Sequence, residues 1–83
     1  MEYYLFTARS VTHAQRMARA LSEAGIPAKI RRAGAALTGR GCGYTLTIEP
    51  RGYLRAREIC LARNVLPTRV LHVKNGETRE VTS

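Results

Sequence analysis

Aspartate and tryptophan are missing from this chain, phenylalanine occurs once, and six glutamates make up the whole acidic complement. With no two carboxylates in one motif, hydrolysis by a paired acid and base has no candidate residues. Two cysteines are too few for a disulfide framework, and without a C-x-x-C they offer no thioredoxin-type redox centre. The two histidines lack H-x-x-x-H spacing, so no metal site is expected, and the absence of a phosphate loop leaves no nucleotide cofactor to expect either. No apolar run approaches the roughly 20 residues of a membrane span, and no basic-apolar-small leader precedes the first apolar segment. A soluble, cytoplasmic, non-enzymatic protein is the expectation these absences leave.

What remains is a chain of 83 residues, 45% hydrophobic, with Leu, Ile and Val in short periodic runs. That is one small domain, residues 1–83, with a core but little surplus stability, which formation of a homodimer would raise. Twelve of its 14 cations are arginine, and the formal net charge is +8. The excess favours an acidic partner: a nucleic acid, an anionic small molecule or an acidic protein. Arginine enrichment also arises from GC-rich genomes, so it does not choose among them.

Tyr3 to Ala8 is aromatic-rich and too short for a helix, and it predicts a first strand. Ser10 is a helix start signal, and Ala14, Met17, Ala18, Leu21 and Ala24 recur at helical spacing over Val11–Ala24. Gly25 closes that helix in the left-handed conformation and Pro27 prevents its continuation. Pro27–Arg32 alternates as a second strand, residues 33–43 form a glycine-punctuated connection, and Tyr44–Glu49 alternates as a third strand. A second helix runs from Pro50 or Arg51 to about Arg63, with Tyr53, Ala56, Ile59 and Cys60 on one stripe and Asn64 as its left-handed cap. Arg69–Lys74 reads as the last strand, and the Asn75-Gly76 turn folds Thr78–Val81 back as a short extension. The order βαββαβ predicts an α+β ferredoxin-like sandwich: a four-stranded antiparallel sheet with both helices on one face. In that topology the end of strand one and the start of strand three share an edge, which brings Cys42 close to Arg9, Ser10 and the first helical turn.

Cys42 lies in Thr38-Gly39-Arg40-Gly41-Cys42-Gly43-Tyr44, a thiol in a glycine-stripped loop with an arginine two residues away. The N-terminus of the first helix and Arg40 would both favour its thiolate, and Gly41 and Gly43 would let another protein's sulfur approach. The alternative is a cysteine incidentally placed beside a tight turn. Cys60, on the apolar stripe of the second helix, is accounted for as a small buried hydrophobe. His13 falls at the third position of the first helix, where it either stands in solvent or acts as proton acceptor or hydrogen-bond donor toward Cys42. His72 reads as an ordinary strand-face residue.

Tyr3-Tyr4-Leu5-Phe6-Thr7, Ser10-x-x-His13-Ala14, Ala24-Gly25-Ile26-Pro27 and Gly41-Cys42-Gly43 together resemble a family of small bacterial proteins, the Se/S carrier protein-like family. The resemblance runs from Met1 to about Val73. It implies a carrier in which Cys42 holds sulfur or selenium as a persulfide or perselenide. A cysteine desulfurase or similar donor would load it, and an acceptor protein would receive the cargo. Two other classes stay open on the residues themselves. One is a regulatory or interaction module that pairs through sheet edges. The other is an RNA-binding domain using a basic sheet face with Lys29 and Arg31, which the scarcity of aromatics in the third strand disfavours.

Overall fold

The computed structural model describes residues 1–34 and 42–81, the side chain of Cys42 excepted. The described elements, in chain order, are β1 (Glu2–Ala8), α1 (Val11–Glu23), β2 (Lys29–Gly34) and β3 (Cys42–Ile48). A 3₁₀ turn at Pro50–Gly52 then leads into α2 (Tyr53–Ala62), β4 (Val70–Lys74) and β5 (Glu77–Glu80). The result is an α+β protein whose antiparallel open sheet has the order β2-β3-β1-β4-β5. As the topology predicts, β3 lies between β1 and β2 and runs opposite to both.

The count of four strands needs correction to five. Asn75 and Gly76 both adopt positive φ, 52° and 83°. That geometry makes a tight hairpin matching the twist of its strands, so β5 pairs with β4 along its length. The second and third strands also differ from expectation. β2 begins at Lys29 rather than Pro27, whose missing N–H suits a position outside the ladder, and it extends to Gly34. β3 begins at Cys42, which pairs with Gly34, as Gly43 pairs with Ala33. Cys42 therefore opens a strand and does not sit within a loop.

Both helix termini expected from sequence are present: Gly25 has φ 82° after α1 and Asn64 has φ 57° after α2. At its start Ser10 accepts a hydrogen bond from the His13 backbone N–H at 3.1 Å, satisfying one amide that α1 cannot pair internally. The two helices pack on one side of the sheet. Ala14, Met17 and Leu21 of α1 and Tyr53, Ala56 and Cys60 of α2 join Phe6, Ala8, Leu46 and Ile48 in one buried cluster. Burying such side chains, at about 1.5–3 kcal/mol each, is the main term opposing chain entropy. On the opposite side Leu5, Leu71 and Val73 form a smaller cluster with Tyr3.

Candidate functional site

β1 runs out of the sheet at Ala8 and turns through Arg9 and Ser10 into α1, and the β1–β3 ladder ends with Ala8 opposite Tyr44. Cys42 precedes that last pair by two residues. The backbone of the candidate thiol thus enters the sheet at the end where α1 presents its N-terminus, as the expected shared edge requires. Arg40 and Gly41 lie outside the described residues, as do the exposure and surroundings of the Cys42 side chain. Gly43 is buried in the ladder opposite Ala33.

The same end of the molecule is tied together by the connection between α2 and β4. Thr7, fully buried, shares a 2.6 Å hydrogen bond with the Thr68 hydroxyl, and its Oγ1 accepts from the Arg69 N–H at 2.7 Å. Backbone bonds from Thr68 N to Thr7 O and from Thr7 N to Arg69 O, 2.9 and 3.0 Å, continue the β4 pairing along β1. A polar residue buried in the sheet is satisfied in this way, where unpaired it would cost about 1–3 kcal/mol.

His13 is neither free in solvent nor an idle base. Its Nε2 donates to the Leu66 carbonyl at 2.9 Å, and its Nδ1 accepts from the Arg9 N–H at a longer 3.4 Å. Both bonds suit the neutral ring protonated on Nε2. With both nitrogens engaged, the ring pins the α2–β4 connection to the start of α1, and the role of proton acceptor for Cys42 would require breaking one of these bonds. Between the two segments lies an open cleft of about 470 Å³, lined by Arg9, Ser10, Thr12, His13 and Arg16 on one wall. Asn64, Val65 and Leu66 form the other wall. Two arginines and the α1 amides, with no carboxylate among the described lining residues, make it electropositive.

Cys60 shows the opposite environment. It is fully buried in α2, and desolvation pushes its thiol from the ordinary 9.0 up to about 11. At neutral pH it is an inert thiol, as its place on the apolar stripe suggests. Among the described residues, no group of three or more His, Cys or Glu side chains is placed to hold a metal ion. No described helix is long and apolar enough to cross a membrane.

A second arrangement escaped sequence reasoning. Tyr4 lies between Tyr53 and His72 in a stack of nearly parallel rings, with centroid separations of 3.9 and 4.3 Å. His72 Nε2 lies 2.6 Å from Glu2 Oε2. Burial, helped by Glu2 and Tyr53, raises the Tyr4 phenol above its ordinary value. The alternation of β1 and β4 puts Tyr4 and His72 each on one strand face, but only their register, Tyr4 opposite His72, makes them neighbours. The stack closes the end of the core under α2 and is remote in the sheet from the start of β3.

A small α+β protein with one buried core cysteine, and a second cysteine opening a strand at the end of the sheet where the first helix starts, is the class these features define. The chain belongs to the family described as Putative Se/S carrier protein-like, whose model matches residues 3–72. No curated protein and no solved structure matches the chain significantly.

Proposed function

We propose that this protein is a cytoplasmic, non-catalytic carrier of sulfur or selenium, with Cys42 as the cargo-bearing thiol. Membership of the family over residues 3–72, a span that includes Cys42, is the observation that carries the reading. The burial of Cys60 supports it by leaving Cys42 as the one cysteine suited to the chemistry. Within this reading β1 to β4 and the two helices form a ferredoxin-like unit, supported by the order β2-β3-β1-β4, and β5 is an addition to it.

In the loading step the Cys42 thiolate attacks the terminal sulfur of a persulfide on a donor such as a cysteine desulfurase. A sulfur–sulfur bond forms to Cys42, the bond to the donor's own cysteine breaks, and that cysteine leaves as thiolate with the displaced electron pair. No net oxidation occurs, and delivery repeats the exchange on an acceptor. The N-terminus of α1, Arg9 and Arg40 favour the anionic thiolate and persulfide. Gly41 and Gly43 flank Cys42 without side chains to obstruct the incoming sulfur. Ser10 holds the helix terminus, and His13 keeps the adjoining connection in place.

The test is intact mass spectrometry after incubation with a cysteine desulfurase and free cysteine, on the parent chain and on Cys42→Ser and Cys60→Ala variants. Addition of sulfur to the parent and to Cys60→Ala, but not to Cys42→Ser, is expected. Absence of added sulfur from the parent chain, with the desulfurase demonstrably active, overturns the reading.

A further inference from the structure

We propose that the outer edge of β2 is a docking strand for an acidic, extended segment of the protein that exchanges cargo with Cys42. β2 is the last strand on its side of the sheet, and over residues 29–32 no described residue pairs with its outer side. Alternate N–H and C=O groups of an outer strand face away from the ladder, which is the template that β-strand addition uses. Lys29, Ile30, Arg31 and Arg32 are all exposed, and the three cations make no ion pair among the described residues. The charge they present is therefore available to a partner.

Three features select the occupant. A second β2 would set Lys29, Arg31 and Arg32 against their own copies, and like charges opposed across strands repel. The opposite edge, β5, is a poor complement, because Glu77 is bridged to Arg79 and Glu80 to Arg69. A nucleic acid fits less well than a peptide. In register, Lys29 and Arg31 share the helix-free face with Thr47 and Thr45, whereas Arg32 shares the other face with Tyr44, so the cations do not form one phosphate track. Tyr4, Tyr44 and Tyr53 lie on the helix side, and Tyr3, half-buried against Leu5, Leu71 and Val73, is a single ring on the helix-free face, short of the row of rings on which successive bases stack. An extended peptide alternates its side chains between both faces and matches this pattern, with carboxylates opposite cations on each.

The position of the edge gives the docking a purpose. β2 ends at Gly34, whose partner across the ladder is Cys42. A strand added outside β2 lies two strand spacings, about 10 Å, from the β3 backbone. A cysteine on a loop following that strand is then within reach of Cys42. The identity of the partner rests on the carrier reading, but the binding itself does not.

The probe is a short synthetic peptide of consecutive glutamate pairs separated by single valines, which when extended sets carboxylates on both faces, compared with its glutamine counterpart and with a version N-methylated at every residue. Binding is followed by amide chemical shifts and hydrogen exchange. Shift changes and slowed exchange centred on Lys29–Gly34 are expected with the glutamate peptide. An Arg31→Glu/Arg32→Glu chain, its fold checked by circular dichroism, should bind about tenfold more weakly, as loss of two exposed charge pairs with repulsion in their place implies. Cys42→Ser should bind the peptide unchanged while accepting no sulfur, which separates failure of docking from failure of the carrier reading. The proposal is overturned by equal binding of the N-methylated peptide, by shifts centred on α1 or α2, or by self-association through β2. Tighter binding of a single-stranded oligonucleotide at the same amides likewise overturns it.

Discussion

The two cysteines should differ in reactivity by a large factor, and the structure allows the Cys60 side of that factor to be worked out. A rise in its pKa from 9.0 to about 11 leaves Cys60 with about one hundredth of the thiolate of an ordinary cysteine. Greater intrinsic nucleophilicity of the more basic thiolate returns somewhat under tenfold, so ionisation alone slows Cys60 by about tenfold. Access matters more. Cys60 has no solvent exposure and sits in the central cluster, so a reagent must wait for an opening close to global unfolding. At about 5 kcal/mol, the lower end for a small domain, that opening contributes several thousandfold. The opened segment carries an ordinary solvated thiol, so the two factors do not multiply, and labelling through opening leaves Cys60 about several thousandfold slower than an exposed cysteine. Chloroacetamide labelling near neutral pH, followed by intact mass, measures it on Cys42→Ser, which retains only Cys60, and on Cys60→Ala, which retains only Cys42. Alanine is preferred at position 60 because a serine hydroxyl there would be buried among apolar neighbours. Labelling of Cys42→Ser within about tenfold of the rate of free cysteine in the same buffer would refute the account of Cys60 as sealed in the core.

Further expectations follow from single contacts. Ser10→Ala removes the cap on the His13 amide and should cost about 1 kcal/mol, lowering Tm by about 4–8 °C in a domain of this size; an unchanged melting curve would show that the cap contributes nothing. Tyr53→Leu keeps an apolar side chain but loses the face-to-face contact with Tyr4, so the urea midpoint should fall by the equivalent of about 0.5–1.5 kcal/mol with an unchanged slope. Because folding raises the Cys60 pKa, its contribution to stability is present below pH 9.0 and is lost as pH rises through about 11, where the unfolded chain ionises first. Cys60→Ala should therefore show a shallower alkaline decline in unfolding free energy, and an identical decline would contradict the raised pKa.

Much of this architecture was legible because local patterning and global fold agree. Helical spacing from Ala14 to Leu21 marks the buried face of α1, and Gly25 and Asn64 stand where a left-handed residue ends a helix. The stripe carrying Tyr53, Ala56 and Cys60 is the buried face of α2. Strand limits were less legible where the sequence is small or basic. Ala33, Gly34, Cys42 and Gly43 carry no alternating apolar signal, yet they pair, because a ladder already formed at Ile30–Leu46 extends at little further entropic cost. Only that extension makes Cys42 a strand residue.

His13 illustrates the harder limit. Its place in the first turn of α1 was evident, but its bond to the Leu66 carbonyl joins residues 53 apart in sequence, and no local pattern announces it. The same holds for Thr7 with Thr68 and for Tyr4 with His72 and Tyr53. Local pattern carries the succession of elements, their buried faces and the contrast between a core cysteine and a glycine-flanked one, because periodicity, capping and turn chemistry are short-range. How far β2 and β3 pair, which outer strand carries the exposed cations, and which side chains close the core were settled when distant strands took their register, since hydrogen-bond pairing in a sheet is set between segments that carry no local record of one another.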